Sequence, residues 1–250
     1  MMKKKLPIIL AAISIPVFLF AASGTAAAAL SYVSENYIAQ MDIKSIGVSL
    51  VENGSKVSWR DYTHKDDAWS QGSGELLGTM LSDAGDEQLI FNKKYPEKLS
   101  VTNSGTIDEY VRVTVYKYWE NIDDGTKRTD LDPSMIQIGF TGNGWIEDTS
   151  AATTEKNVFY YDKILATGEN STAFTDTISI NGEIARKVTE TETTDENGNT
   201  NVVCTYEYDG ARFVLRADVD AVQTHNAQDA IMSAWGISVS IGADGSLSLK

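Results

Sequence analysis

Alternation of apolar and polar positions with a period of two runs through most of the chain, which is the pattern of half-buried β-strands. It is clearest over Glu109–Trp119. There Val111, Val113, Val115, Lys117 and Trp119 share one side, and Tyr110, Arg112, Thr114, Tyr116 and Tyr118 share the other. Both sides are bulky, so this strand requires cover on both faces. The valines call for a core, and the tyrosine side for a loop, a projecting hairpin or a neighbouring subunit. Further runs between Gly, Asn and Asp clusters predict strands over Asp42–Leu50, Leu99–Asn103, Met135–Phe140, Val158–Leu165 and Ser171–Ile180. The same pattern predicts strands over Glu183–Glu192, Asn201–Tyr208, Arg212–Gln223 and Ile237–Ile241. So many strands without an alternating series of helices predict an all-β, antiparallel two-sheet sandwich, jelly-roll-like, with one short helix near the C-terminus and a projecting hairpin.

The helix is expected in "NAQDAIMSAWG". Asn226 can cap it, Asp229 suits the first turn, Ile231, Ala234 and Trp235 make an apolar side, and Gly236 ends it. The hairpin is "VTETETTDENGNTNVVCTYEY", Val188–Tyr208, with Asn197-Gly198 at its tip and Thr- and Glu-rich arms that suit two solvated faces. The polar stretch Asn53–Gly74 reads as a long surface loop, and Glu75–Leu81 as a weak helical turn.

Targeting signals change the picture at the N-terminus. Met1–Lys5 is basic, Leu6–Ala22 is apolar apart from Ser14, and small residues follow through Ala29. This predicts a signal peptide over residues 1–29, cleaved to release one β-sandwich domain over residues 30–250 into the extracellular or cell-surface space. An uncleaved membrane anchor is the other reading of the same run. No later segment is long and apolar enough to span a bilayer, no Cys stands at the signal exit to take a lipid, and "GADGSLSLK" carries no sorting signature. Loss of Lys3, Lys4 and Lys5 moves the formal charge from −14 to −17. Such a balance argues against nucleic acid, which needs clustered Lys and Arg, and leaves room for divalent cations.

Candidate chemistry is sparse. His64 and His225 are the only histidines and neither lies in a zinc-hydrolase motif, so loop and helix-flank roles are the expectation, with a meeting in space left open. For calcium, Asp123, Asp124, Asp130 and Asp132 lie on one connection, without EF-hand spacing, and a solvated acidic turn competes with a cation site. No nucleophile elbow or phosphate loop occurs. Cys204 is the single cysteine, and its alternation with Val203 and Tyr206 predicts a buried strand thiol. Trp59, Trp69 and Trp145 read as core or loop-packing residues, or else as exposed stacking platforms for sugars or peptides. No cofactor is indicated, with calcium left open.

A signal ending in small residues, then "LSYVSENYIAQMDIKSIGVSLVENG" and "VTNSGTIDEYVRVTVYKYW", resembles the camelysin/TasA family of exported Gram-positive proteins, whose signals are cut by a SipW-type peptidase. "GNGWIED", "FTDTISING" and "AVQTHNAQDAIMSAWG" extend the resemblance over nearly the whole chain. It implies a jelly-roll sandwich and, for matrix members, biofilm fibres in which the new N-terminus lies as a donor strand in the next subunit. The matching segment is Leu30–Met41, with Leu30, Tyr32, Val33, Tyr37, Ile38 and Met41 as anchors. Tyr110, Tyr116 and Tyr118 join them as a candidate assembly face. The metallopeptidase activity attributed to other members finds no ligand motif here.

Three functions follow as expectations. The first is a secreted structural protein that self-assembles or joins related matrix proteins, the second an adhesive or ligand-binding module, and the third a metal-dependent peptidase.

Overall fold

The computed structural model of the protein describes residues 45–63, 68–194, 196 and 200–250. The segment Leu30–Met41, the signal region, His64 and the Asn197-Gly198 tip lie outside the described residues. Strands hold 46% and helices 11% of the residues, which makes the chain all-β.

The first strands are β1 (Val48–Glu52), β2 (Ser55–Thr63) and β3 (Ala68–Gly72), followed by the single-turn helix α1 (Met80–Asp83). Next come β4 (Tyr95–Pro96), β5 (Leu99–Asn103), the long β6 (Glu109–Asn121), β7 (Ile136–Phe140), β8 (Trp145–Glu147), β9 (Lys156–Tyr161) and β10 (Thr175–Ile180). The hairpin β11 (Val188–Thr194) and β12 (Thr200–Tyr206) precedes the long β13 (Ala211–Gln223). Helix α2 (Ala227–Trp235) and the strands β14 (Val239–Ile241) and β15 (Leu247–Leu249) complete the chain.

One layer of the sandwich is the antiparallel sheet β3-β2-β1-β5, carried on toward the sheet β4-β10-β7 by residues 169–176 running along β5. The Asn103, Ser171 and Phe174 N–H groups donate to Glu169, Val101 and Leu99 carbonyls, and the Ser171 and Thr175 hydroxyls accept the Val101 and Leu99 N–H groups. Side-chain hydroxyls thus satisfy buried strand donors where the ladder is irregular. The other layer is β13-β6-β9-β8. Between the layers lie Leu50, Leu99, Val101, Val111, Val113, Val115, Phe159, Phe174 and Ile178, all buried. Farther along β6, the Trp119 indole donates to the Asp132 carbonyl at 3.0 Å and Lys117 Nζ to the Ile136 carbonyl at 2.7 Å.

Strand β6 is covered on its inner face by the core and on its outer face at one end. The Tyr110 end of its outer face meets a second core built by α2 and the β14-β15 hairpin. Tyr110, Val158, Tyr160 and Val222 pack there on Ile231, Trp235, Val239 and Leu247.

The structure corrects several expectations. Asn53–Gly74 is not a surface loop, because Ser55–Thr63 and Ala68–Gly72 pair as strands with β1 and with each other. Its faces carry few apolar residues, so the period-two signal is faint, yet Asn53-Gly54 with φ of 49° and 87° is a two-residue hairpin turn. Gly182–Arg186 is a 3₁₀ turn, so the strand expected from Glu183 begins only at Val188. Asn226 does not cap α2 with its side chain: it sits at φ 50° and accepts the Ala230 N–H through its carbonyl. Gly236 ends α2 as expected, at φ 72°. Cys204 is exposed rather than buried, since β12 belongs to the projecting hairpin and pairs with no described strand but β11.

The "VTNSG" turn fastens the start of the described chain. Ser45 N–H donates to the Thr106 hydroxyl at 2.7 Å, and the Thr106 and Ser104 N–H groups donate to the Ser45 and Gly47 carbonyls at 2.8 Å. The buried Asn103 amide donates to the Ile107 and Leu165 carbonyls and accepts from the Gly105 N–H. A Cβ on Gly105 would lie 2.5 Å from the Ser45 carbonyl oxygen and 2.6 Å from the Gly47 nitrogen. Gly105→Ala is therefore expected to destabilise the fold by about 1–3 kcal/mol through backbone displacement. Urea unfolding at neutral pH checks this, and an unchanged midpoint would refute the clamp.

Candidate functional site

The strongest feature is an unpaired edge beside a groove. Strand β13 pairs with β6 along all thirteen of its residues and with no other described strand. The Ile122 N–H donates to the Gly210 carbonyl, the position in register with this ladder, so the even-numbered residues of β13 turn their backbone groups to β6. The odd-numbered residues turn theirs to the free edge. Their side chains face inward, and Ala217, Val219 and Ala221 line a groove of about 500 Å³ with Ile46, Gly47, Val48, Leu50, Ser58 and Trp59. Small side chains on β13 leave the space, and the chain enters the described region at Ser45, on the rim of the same groove.

The tyrosine face divides in two. Tyr110 is 1% exposed and donates its hydroxyl to the Gly245 carbonyl at 2.9 Å, so the chain's own C-terminal hairpin covers it. This corrects its place on an assembly face. Tyr116 and Tyr118 remain half-buried, with the Arg216 guanidinium 5.2 Å from the first ring centroid and Lys127 Nζ 5.4 Å from the second. Cations over these rings occupy the faces a sugar would stack on. Between the two halves, Arg112 bonds Asp220 through Nε and Nη2 at 3.1 and 2.7 Å, beneath the Trp235 ring.

The four aspartates do not converge. Asp124 accepts from the Thr126 N–H and hydroxyl, Asp132 from the Ser134 N–H and hydroxyl, and Asp130 pairs with Arg128 at 2.7 Å. These bonds hold the three carboxyls below the usual carboxylate range. Each serves its own turn, and Asp123 stands exposed, so the calcium reading loses its geometry. Among the described residues no three His, Cys, Asp or Glu side chains are grouped to hold a metal. His225 is exposed beside α2. Trp145 is 5% exposed, donates to the Thr172 carbonyl and packs on Tyr161 and Phe174, a core residue as the packing reading expects. Trp59 is half-buried in the groove wall, its indole donating to Ser70 Oγ at 3.3 Å.

Two carboxyls escaped the sequence reading. Glu97 and Glu109 are fully buried, and none of their four side-chain oxygens makes a hydrogen bond of full geometry among the described residues, the Gly47 N–H standing only loosely toward Glu109. Glu109 lies in phase with Val111 and Val113, and Glu97 in phase with Tyr95, Leu99 and Val101, so alternation itself marks them as inward. Burial pushes the Glu109 carboxyl up to about 9, offset only in part by the Gly47 N–H, with Asp108 adding repulsion. Burial raises Glu97 as well, helped by the neighbouring Glu52 carboxylate. One neutral carboxyl thus sits at each end of β1, beside Gly47 and beside Glu52.

A carboxyl whose value rises on folding contributes stability that is full below its unfolded value and is lost as pH climbs through the folded one. For Glu109 the window runs from about 4.3 in the unfolded chain to about 9 in the folded one. Stability should fall across this range by up to about 1.4 kcal/mol per pH unit for one such group. Glu109→Gln should flatten that slope and raise stability at pH 8. Urea midpoints from pH 5 to 9 check this, and parallel profiles for parent and variant would refute it.

Comparison with protein-family models, with curated proteins and with solved structures found no match to this chain.

Proposed function

We propose that this chain is a secreted structural protein of the cell surface or extracellular matrix that self-associates by N-terminal strand donation. The observation carrying this reading is the free edge of β13, whose outward backbone groups and groove-lining side chains belong to the same residues, Ala217, Val219 and Ala221. An incoming strand would satisfy those backbone groups and fill the groove with alternate side chains in one motion.

The donor is the segment Leu30–Met41, released at its N-terminus by cleavage after residue 29. Its twelve residues reach roughly 40 Å when extended, a match to the thirteen of β13. Tyr32, Val33, Tyr37 and Ile38 supply the apolar bulk that the small β13 side chains lack. Donation to a neighbouring copy gives a polymer without covalent links, and the resemblance to the camelysin/TasA family points the same way. The half-exposed Tyr116 and Tyr118 lie on the outer face of the β6 layer, apart from the groove, and offer a second contact.

Electron microscopy and sedimentation of the chain beginning at Leu30, without an N-terminal tag, test the reading. Filaments are expected, and both deletion of Leu30–Met41 and the groove-filling Ala217→Trp should leave folded monomers. A parent chain that stays monomeric refutes donation between copies, as do filaments that survive both changes.

A further inference from the structure

The projecting hairpin β11-β12 carries a second free edge of different character. All seven residues of β11 are exposed, and along β12 Val202, Val203 and Tyr206 are 53%, 53% and 57% exposed. The ribbon is a two-stranded sheet that pairs with no other described strand. Such a ribbon is marginal alone in water, and stability comes with further strands.

The two edges of the ribbon differ in charge. Strand β11 reads Val-Thr-Glu-Thr-Glu-Thr-Thr, with Glu190 and Glu192, whereas β12 reads Thr-Asn-Val-Val-Cys-Thr-Tyr and holds no charge and no proline. Charges guard a strand edge against pairing, and an uncharged run of β-formers invites it. In a chain of net charge −14, an edge strand without charges lets a second copy approach at lower electrostatic cost than the acidic β11 edge would.

Backbone parity sets the contact. The Glu207 N–H donates to the Lys187 carbonyl at 2.9 Å, in register with the β11-β12 ladder, so Val203 and Thr205 also turn their backbone groups to β11. Thr200, Val202, Cys204 and Tyr206 turn theirs to the free edge. We propose that β12 pairs antiparallel with β12 of a second copy about a two-fold axis at Val203, forming a four-stranded sheet from two hairpins. This register overlaps the whole strand and pairs all four outward-facing residues: Thr200 with Tyr206 of the second copy, and Val202 with its Cys204. Glu190 and Glu192 of each copy stay on the strands away from the seam, so neither faces its counterpart across it. The contact is isologous and uses neither the N-terminal segment nor the β13 groove.

At the axis Val203 meets its own copy in a non-hydrogen-bonded pair, where Cα atoms stand about 4.5 Å apart, within disulfide range. The full chain carrying Val203→Cys with Cys204→Ser is therefore treated with diamide, which takes two electrons and two protons from a thiol pair to form the disulfide. At least a five-fold greater yield of linked dimer is expected than from Met232→Cys with Cys204→Ser, where the new thiol is exposed on α2 and reports random collision. Adding Val202→Lys to the first chain should lower its yield to the collision level, with circular dichroism unchanged. Deleting Leu30–Met41 should leave the yield intact. Equal yields from the two single-thiol chains overturn the pairing, as does insensitivity to Val202→Lys. A yield that disappears with the deletion assigns the contact to the N-terminal segment and overturns the independent seam.

Discussion

The thirteen-residue pairing of β6 with β13 is the contact on which the rest of the fold depends. One face of that ladder supplies Val111, Val113, Val115 and Leu215 to the main core, and the other supplies Tyr110 and Val222 to the smaller core beneath α2. Two hydrophobic layers therefore share one pair of strands, and loss of that register would turn both sets of side chains to the wrong face. The same ladder occupies only one side of β13. Among the described residues the other side has no strand partner, and the small residues Ala217, Val219 and Ala221 of that side line a groove.

Electrostatics bear on the same region. Glu109 beside Gly47 and Glu97 beside Glu52 bring carboxyls to both ends of β1, which forms one wall of the groove. In neutral form they cost far less in an apolar setting than they would as carboxylates, which the Gly47 N–H beside Glu109 would compensate only in part. The formal net charge of −14 works in the same direction, because protonation of surface acids lowers repulsion within and between copies. Mild acidity thus favours the folded state around β1 and lowers the repulsion that any second copy would meet. The exposed, locally bonded Asp124, Asp130 and Asp132 oppose this only at lower pH, since their carboxyls are already held below the ordinary range.

Much of the fold was legible because alternation reports burial directly. The two-sided strand at Glu109, the long strand Arg212–Gln223, the solvated hairpin and the helix ended by Gly236 all follow from side-chain period and turn chemistry. What escaped lies where period and environment part company. Strands β2 and β3 are partly polar on both faces and left only the Asn53-Gly54 turn as a signal. Cys204 alternates with valine in a ribbon whose described strands pair only with each other, so an apolar pattern there marks an exposed edge. The cover over Tyr110 was visible as a need and invisible as a source, because α2 and β14-β15 reach it across more than a hundred residues of chain. The groove was hidden for a related reason: small inward residues such as Ala217 and Ala221 reveal a space only when the β1 and β2 residues that wall it are in place.

The two unpaired edges differ in the symmetry of the contact each can make. At β13 the acceptor is a concave edge backed by the core, and the proposed donor is another part of the chain, so the contact is heterologous and repeats without closing. At β12 the proposed surfaces are identical, and the contact closes after two copies. A heterologous contact alone gives single-stranded filaments, and an isologous contact alone gives dimers. Together they join filaments side by side, with the hairpin seam acting between strands of polymer rather than along them. The division of charge fits those proposed roles: the lengthwise contact would bury apolar side chains in a groove, while the lateral one would bring two acidic bodies together through a strand without charges.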